Sequence, residues 1–184
     1  MNKVFFILDI IAFILSLYLV KDQKLDKDLE ANEDKTYLVL PLIASIMFYF
    51  SLAFSNILTG ILFLIFSFYT LIYYILKPES ILSLFREKSL RFILILSFLG
   101  SIFGALVFYF GGNLSSLSPV ILTLIFSLAV FITLYFHGLV LALISYLLRK
   151  KGYSLFWIFI IASLDYIGLL LSLILRPRNV SNKS

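Results

Sequence analysis

Three ionisable side chains stand inside long apolar runs of this 184-residue chain: Asp9, His137 and Asp165. A charged side chain at the centre of an apolar helix costs roughly 2.5–3.5 kcal/mol on the insertion scale, so it is seldom idle. Asp9 lies 12 positions before Lys21, His137 lies 12 before Arg149, and Asp165 lies 12 after Tyr153. At about 1.5 Å per helical residue, all three stand about 18 Å from the polar segments that flank them. Should the helices turn these positions towards one another, an imidazole between two carboxylates makes a proton- or cation-exchanging cluster. The competing reading leaves Asp9 at the near surface and bonds His137 and Asp165 to serine, tyrosine or backbone as structural glue.

Other chemistry is sparse. Cysteine is absent and His137 is the single histidine, which excludes disulfides, thiolate catalysis and multi-histidine metal sites. The chain contains no HExxH, phosphate-cradling glycine loop or GxSxG elbow, so no enzyme, cofactor or metal centre is expected.

The elements that must position the three residues are membrane helices. Apolar residues make up 62% of the chain and charged residues 14%, against about 45–50% and 25% in soluble domains. Twenty Phe and eleven Tyr require burial, which excludes a disordered chain. The net charge of +5 is broken up by oily stretches, so the lipid bilayer and not nucleic acid is the expected surrounding. We expect an all-α, polytopic transmembrane bundle forming one membrane domain over residues 1–184. Six spans are expected, at about 4–20, 37–55, 57–77, 91–111, 119–148 and 153–176, each near the ~20 residues that cross a bilayer. The apolar run from Tyr37 to Lys77 would measure about 60 Å as one helix, so it must turn, and Ser55, Asn56 and Gly60 mark the place. Gly111, Gly112 and Asn113, with Pro119 after them, mark a second loop.

Two connectors are polar. Residues 21–36 mix four Lys with six acidic residues and read as a solvated loop. In residues 78–90, Ile81, Leu82 and Phe85 share one side while Arg86 and Lys88 add basic charge, which reads as a short interfacial helix behind Pro78. In a six-span arrangement, the side carrying these connectors and the 149–151 turn holds eleven Lys and Arg, and the other side holds four. The positive-inside rule then puts the connectors in the cytoplasm and both termini outside, most simply across the cell membrane. Tyr18, Tyr37, Tyr73, Tyr74, Tyr146 and Tyr153 cluster near the cytoplasmic level, as an interfacial aromatic belt would.

Small residues suggest close helix contacts. Gly100 and Gly104 repeat at a GxxxG spacing, and Gly138 and Gly168 offer mates in later spans. Such a face suits packing within the chain first, with a second copy or a membrane partner subunit as the alternative.

From Lys77 onward, Pro78 to Phe85 ahead of a span, and ISYLLRKKGYSLFWIFIIAS at 144–163, resemble the Yip family of multi-pass membrane proteins, with its basic, glycine-containing turn before a serine- and aromatic-led helix. The resemblance covers residues 77–176, with one glycine in the turn and Asp165 and Tyr166 where the family tends to have proline. It implies a non-enzymatic scaffold that binds membrane partners. The residues themselves favour a small permease or permease subunit that uses Asp9, His137 and Asp165 to bind a proton or cation. Because the chain lacks cysteine, orientation is open to a direct test with Glu30→Cys and Ser115→Cys. An impermeant thiol reagent applied to intact cells should label position 115 and spare position 30; the reverse pattern would overturn the orientation.

Overall fold

The computed structural model describes residues 3–20, 25, 35–85, 88–111 and 118–177, all helix and connecting turn with no strand among them. Most of the 21–36 connector, Arg86 and residues 112–117 lie outside the described residues. Eight α-helices follow in order: α1 Lys3–Val20, α2 Thr36–Phe54, α3 Ile57–Leu76, α4 Pro78–Leu82, α5 Leu90–Gly111, α6 Pro119–Lys150, α7 Leu155–Ala162 and α8 Asp165–Ile174. Four of them, α2, α3, α5 and α6, are long and apolar enough to cross a membrane, and α1 and α8 supply shorter apolar stretches.

Helix boundaries follow from local chemistry. Ser55 adopts a left-handed conformation (φ 48°) that ends α2, and the Asn56 carboxamide accepts from Leu58 N–H at 2.9 Å to cap α3. Ser118 caps α6 ahead of Pro119, and Arg149 and Lys150 occupy its last turn, where basic charge complements the helix dipole. At 32 residues α6 is about 48 Å long, and every position from Gly138 to Ser145 is buried. Burial on all faces makes this half of α6 the axis of the bundle. It packs against α2, α3, α4, α5, α7 and α8.

One contact set joins α2, α3 and α6. Pro41 lies inside α2 and has no N–H to offer the carbonyl of Tyr37, four residues earlier. The Tyr74 hydroxyl of α3 donates to that carbonyl at 2.7 Å. Gly138 of α6 lies flat against the Tyr74 ring, where a Cβ would collide with it. Tyr37, Tyr73 and Tyr74 are therefore buried in the bundle and do not form an interfacial belt.

Ends of helices are closed by basic residues from other helices. Arg91 Nε donates to Leu17 O at 3.2 Å, closing α1, and Arg149 Nη2 donates to Ile75 O and Leu76 O at 3.0 and 2.9 Å, closing α3. Lys151 Nζ donates to Ser172 O, Leu173 O and Leu175 O at 2.7, 2.9 and 2.7 Å, closing α8. Burial lowers the Lys151 pKa from the ordinary lysine value, while the three carbonyls favour its charged form. These contacts put the ends of α1, α3, α6 and α8 and the start of α5 on one face of the bundle.

Two expectations need correction. Residues 153–176 do not form one continuous helix: α7 stops at Ala162, and α8 starts at Asp165 and returns to Lys151. The Tyr153 hydroxyl donates to Arg176 O at 3.1 Å, so both ends of this hairpin lie on the same face. The end of α8 therefore stands opposite the start of α1, and the two described ends of the chain do not share a side. The segment after Pro78 also differs, because Pro78, Ser80, Ile81 and Leu82 are buried beneath α6 and do not face a membrane surface.

The link between Pro41 and Tyr74 generates a double-mutant test. Tyr74→Phe should destabilise the protein by about 1 kcal/mol by orphaning the Tyr37 carbonyl. In a Pro41→Ala background, where the helix supplies its own N–H, the same change should cost clearly less, as read by thermal unfolding in detergent micelles.

Candidate functional site

Asp165 owes its position to the break between α7 and α8. Its φ of 52° lies in the left-handed region, which aspartate and asparagine tolerate better than most residues. Local bonds replace the interrupted helix ladder: Ser163 N donates to Phe159 O, Leu164 N to Ile161 O and Ile167 N to Leu164 O, each at 3.1 Å, and Ser163 Oγ donates to Ile160 O at 2.7 Å. Gly168 sits directly on the Ile161 carbonyl, where any Cβ would clash, so α8 folds back closely over α7. Eight residues of α7 advance only about 12 Å along the bundle. The hairpin tip at Ser163–Asp165 therefore stops part-way through.

His137 meets that tip. Its Nδ1 lies 3.6 Å from Asp165 Oδ1, an ion-pair distance beyond hydrogen-bond range, with about a third of each side chain exposed (32% and 34%). That carboxylate oxygen is itself buried and accepts no hydrogen bond. Asp9 joins from α1, close enough to interact electrostatically with both Asp165 and His137. Aromatic packing fixes the approach of α1. Phe13, one turn after Asp9, stacks on Phe98 of α5 with ring centroids 3.9 Å apart, and both rings meet Tyr166 edge-on at 5.6 and 5.8 Å. His137 and Asp165 thus meet from α6 and α8, and Asp9 of α1 approaches them without a direct contact.

Among the described residues, no serine hydroxyl is hydrogen-bonded to His137 or Asp165. Ser97 donates to Ile93 O at 2.8 Å, Ser127 to Thr123 O at 2.9 Å and Ser172 to Leu169 O at 2.7 Å, so these buried hydroxyls are satisfied within their own helices. The His137–Asp165 contact opens into a cavity of about 430 Å³ between α3, α6 and α7. Its remaining walls are almost wholly apolar, with Phe68 and Ile72 on one side, Leu141 behind, Phe159 opposite and Ser163 at the tip. Among the described residues, no group of three or more His, Cys, Asp and Glu side chains has metal-binding geometry.

The glycines serve this assembly in pairs that their spacing did not indicate. Gly100 and Gly104 of α5 admit Phe136 and Thr133 of α6, while Gly138 admits Tyr74 and Gly168 the Ile161 carbonyl. The small-residue face of α5 is consumed inside the chain, and neither Gly138 nor Gly168 is its mate. Ser163, Phe68 and Phe159 complete the pocket and carry no sequence signal of their own.

Comparison of the chain with protein-family models, curated proteins and solved structures finds no match.

The left-handed Asp165 predicts an ordered substitution series. Asp165→Asn and Asp165→Gly keep the turn, whereas Asp165→Ala retains the Cβ but loses the short polar side chain that offsets a left-handed conformation costing roughly 1–2 kcal/mol. Thermal unfolding should rank Ala below both Asn and Gly.

Proposed function

We propose that this protein is a small permease or permease subunit whose Asp9, His137 and Asp165 form a proton- or cation-exchanging site. It would cross the membrane five times, through α1, α2, α3, α5 and α6, with α7 and α8 as a re-entrant hairpin. The positive-inside rule then places the face bearing Arg91, Arg149, Lys151 and Arg176 in the cytoplasm. In this arrangement Arg176 joins the basic side, which strengthens the charge bias that sets the orientation.

The observation that carries the reading is a broken helix that delivers Asp165 to His137 at about half the bundle's depth, beside a cavity. Unpaired structural charge would be costly there, and non-helical backbone at membrane depth belongs where it lines a cavity. Discontinuous helices at mid-membrane ion sites are a recurrent device of transporters. A Yip-like scaffold is the second reading. It accounts for the lack of catalytic chemistry, but the GxxxG-type face it would offer a partner is already filled by Phe136 and Thr133.

Water access separates the two readings. Ser163→Cys, at the exposed hairpin tip, should react with a membrane-impermeant thiol reagent in native membranes. Leu99→Cys, on the exposed outer face of α5, should not. Equal inertness at both positions would remove the permease and favour the scaffold.

A further inference from the structure

The cavity also constrains what the site takes. Its volume of about 430 Å³ lies in the usual small-ligand range of about 300–1,000 Å³. Phe68 and Phe159, which line the cavity, are 67% and 36% exposed. In the proposed membrane arrangement the exposed faces of Phe68 and Phe159 meet hydrocarbon, so the cavity is open to the bilayer on that side, and an exchange site requires a separate water path to Ser163 at the hairpin tip.

Charge narrows the ligand further. Asp165 is the acidic side chain that lines the cavity, so the pocket is net negative when Asp165 is ionised beside a neutral imidazole. The cavity walls contain no lysine or arginine. An anion would therefore enter against the local field, and a cation with it. A bare inorganic cation needs several oxygen ligands to replace its hydration shell, and the side chains lining the cavity offer it the Asp165 carboxylate and the Ser163 hydroxyl. An organic cation needs far fewer. Its apolar body is accommodated by the aliphatic walls, and its charge is favoured by aromatic ring faces as well as by the carboxylate.

We infer that the cavity binds a lipophilic organic cation drawn from the bilayer, with its charge against Asp165 and its body between Phe68 and Phe159. The inference rests on the proposed exchange site and names the substrate class that this site serves. Protons compete with the ligand, because protonating Asp165 removes the charge that attracts it. Binding should weaken as pH falls.

Tetraphenylphosphonium and tetraphenylborate test this inference, being nearly identical in shape and opposite in charge. With the full chain in lipid nanodiscs, equilibrium dialysis at pH 8 should show saturable phosphonium binding above the uptake of empty nanodiscs, and borate uptake that only follows the lipid. Asp165→Asn, which keeps the left-handed turn, should weaken phosphonium binding about thirtyfold or more. Phe159→Ala should weaken it less, and lowering the pH to 5.5 should weaken binding to the wild type but not to Asp165→Asn. Equal saturable binding of both ions, or phosphonium binding indifferent to Asp165→Asn, would overturn the inference. If Ser163→Cys is water-reactive but phosphonium never saturates, the ligand class is wrong and the exchange site stands. If Ser163→Cys is inert, the exchange site itself is lost, and this inference with it.

Discussion

Inside a hydrocarbon layer every backbone N–H and C=O needs a partner within the protein, and this chain meets that demand at a place where its helix is interrupted. Between Ala162 and Asp165 the ladder is replaced by short local bonds and by the Ser163 hydroxyl, and the chain reverses with Gly168 resting on the Ile161 carbonyl. At the other end of the hairpin the last carbonyls of α8 converge on one ammonium, that of Lys151. Between these two points α8 has no freedom to continue across the bundle. The same rule governs Arg149 at the end of α3, Arg91 at the end of α1, and Tyr74 at the carbonyl left open by Pro41. Satisfying orphan carbonyls from neighbouring helices is thus the common means by which this fold is assembled.

The chemistry depends on that assembly. A residue in a continuous helix from 153 to 176 would carry Asp165 on one face of a rod, free to point towards lipid. The reversal instead places it at a tip, beside His137 and within reach of Asp9, with one carboxylate oxygen buried against the imidazole. Phe13, Phe98 and Tyr166, none of which lines the cavity, then hold α1 and α5 to α8. The basic residues have two roles: they close helix ends, and by their clustering on one face they provide the charge asymmetry that orients a membrane protein.

Much of this was legible in the amino-acid sequence. Apolar run lengths revealed α2, α3, α5 and α6, and Ser55 and Asn56 marked a turn because one can end a helix in the left-handed region and the other can cap the next. Counting residues from polar ends placed Asp9, His137 and Asp165 at one depth. The hairpin was not legible, because Ser163, Leu164 and Asp165 include neither glycine nor proline, and a run of 24 residues has ample length to span a bilayer. Gly168 was the trace it left, but a glycine pressed against a carbonyl reads the same as one pressed against another helix. Depth alone could not say which helix faces meet, and so could not reveal the cavity or the partners of Gly100, Gly104 and Gly138. Burial of Ile81 and Leu82 was hidden for a similar reason, since an apolar stripe suits a lipid surface and the underside of α6 equally well.

The re-entrant course of α7 and α8 is the claim on which the site and its proposed function both stand. Single cysteines replacing Gly152 and Pro177, at the two ends of the segment, test it directly through their reaction with an impermeant thiol reagent in sealed vesicles of known orientation. The account predicts that both positions react from the same side, the one that carries Lys151. Reaction from opposite sides would mean that the segment crosses the membrane as a single span, and would contradict it.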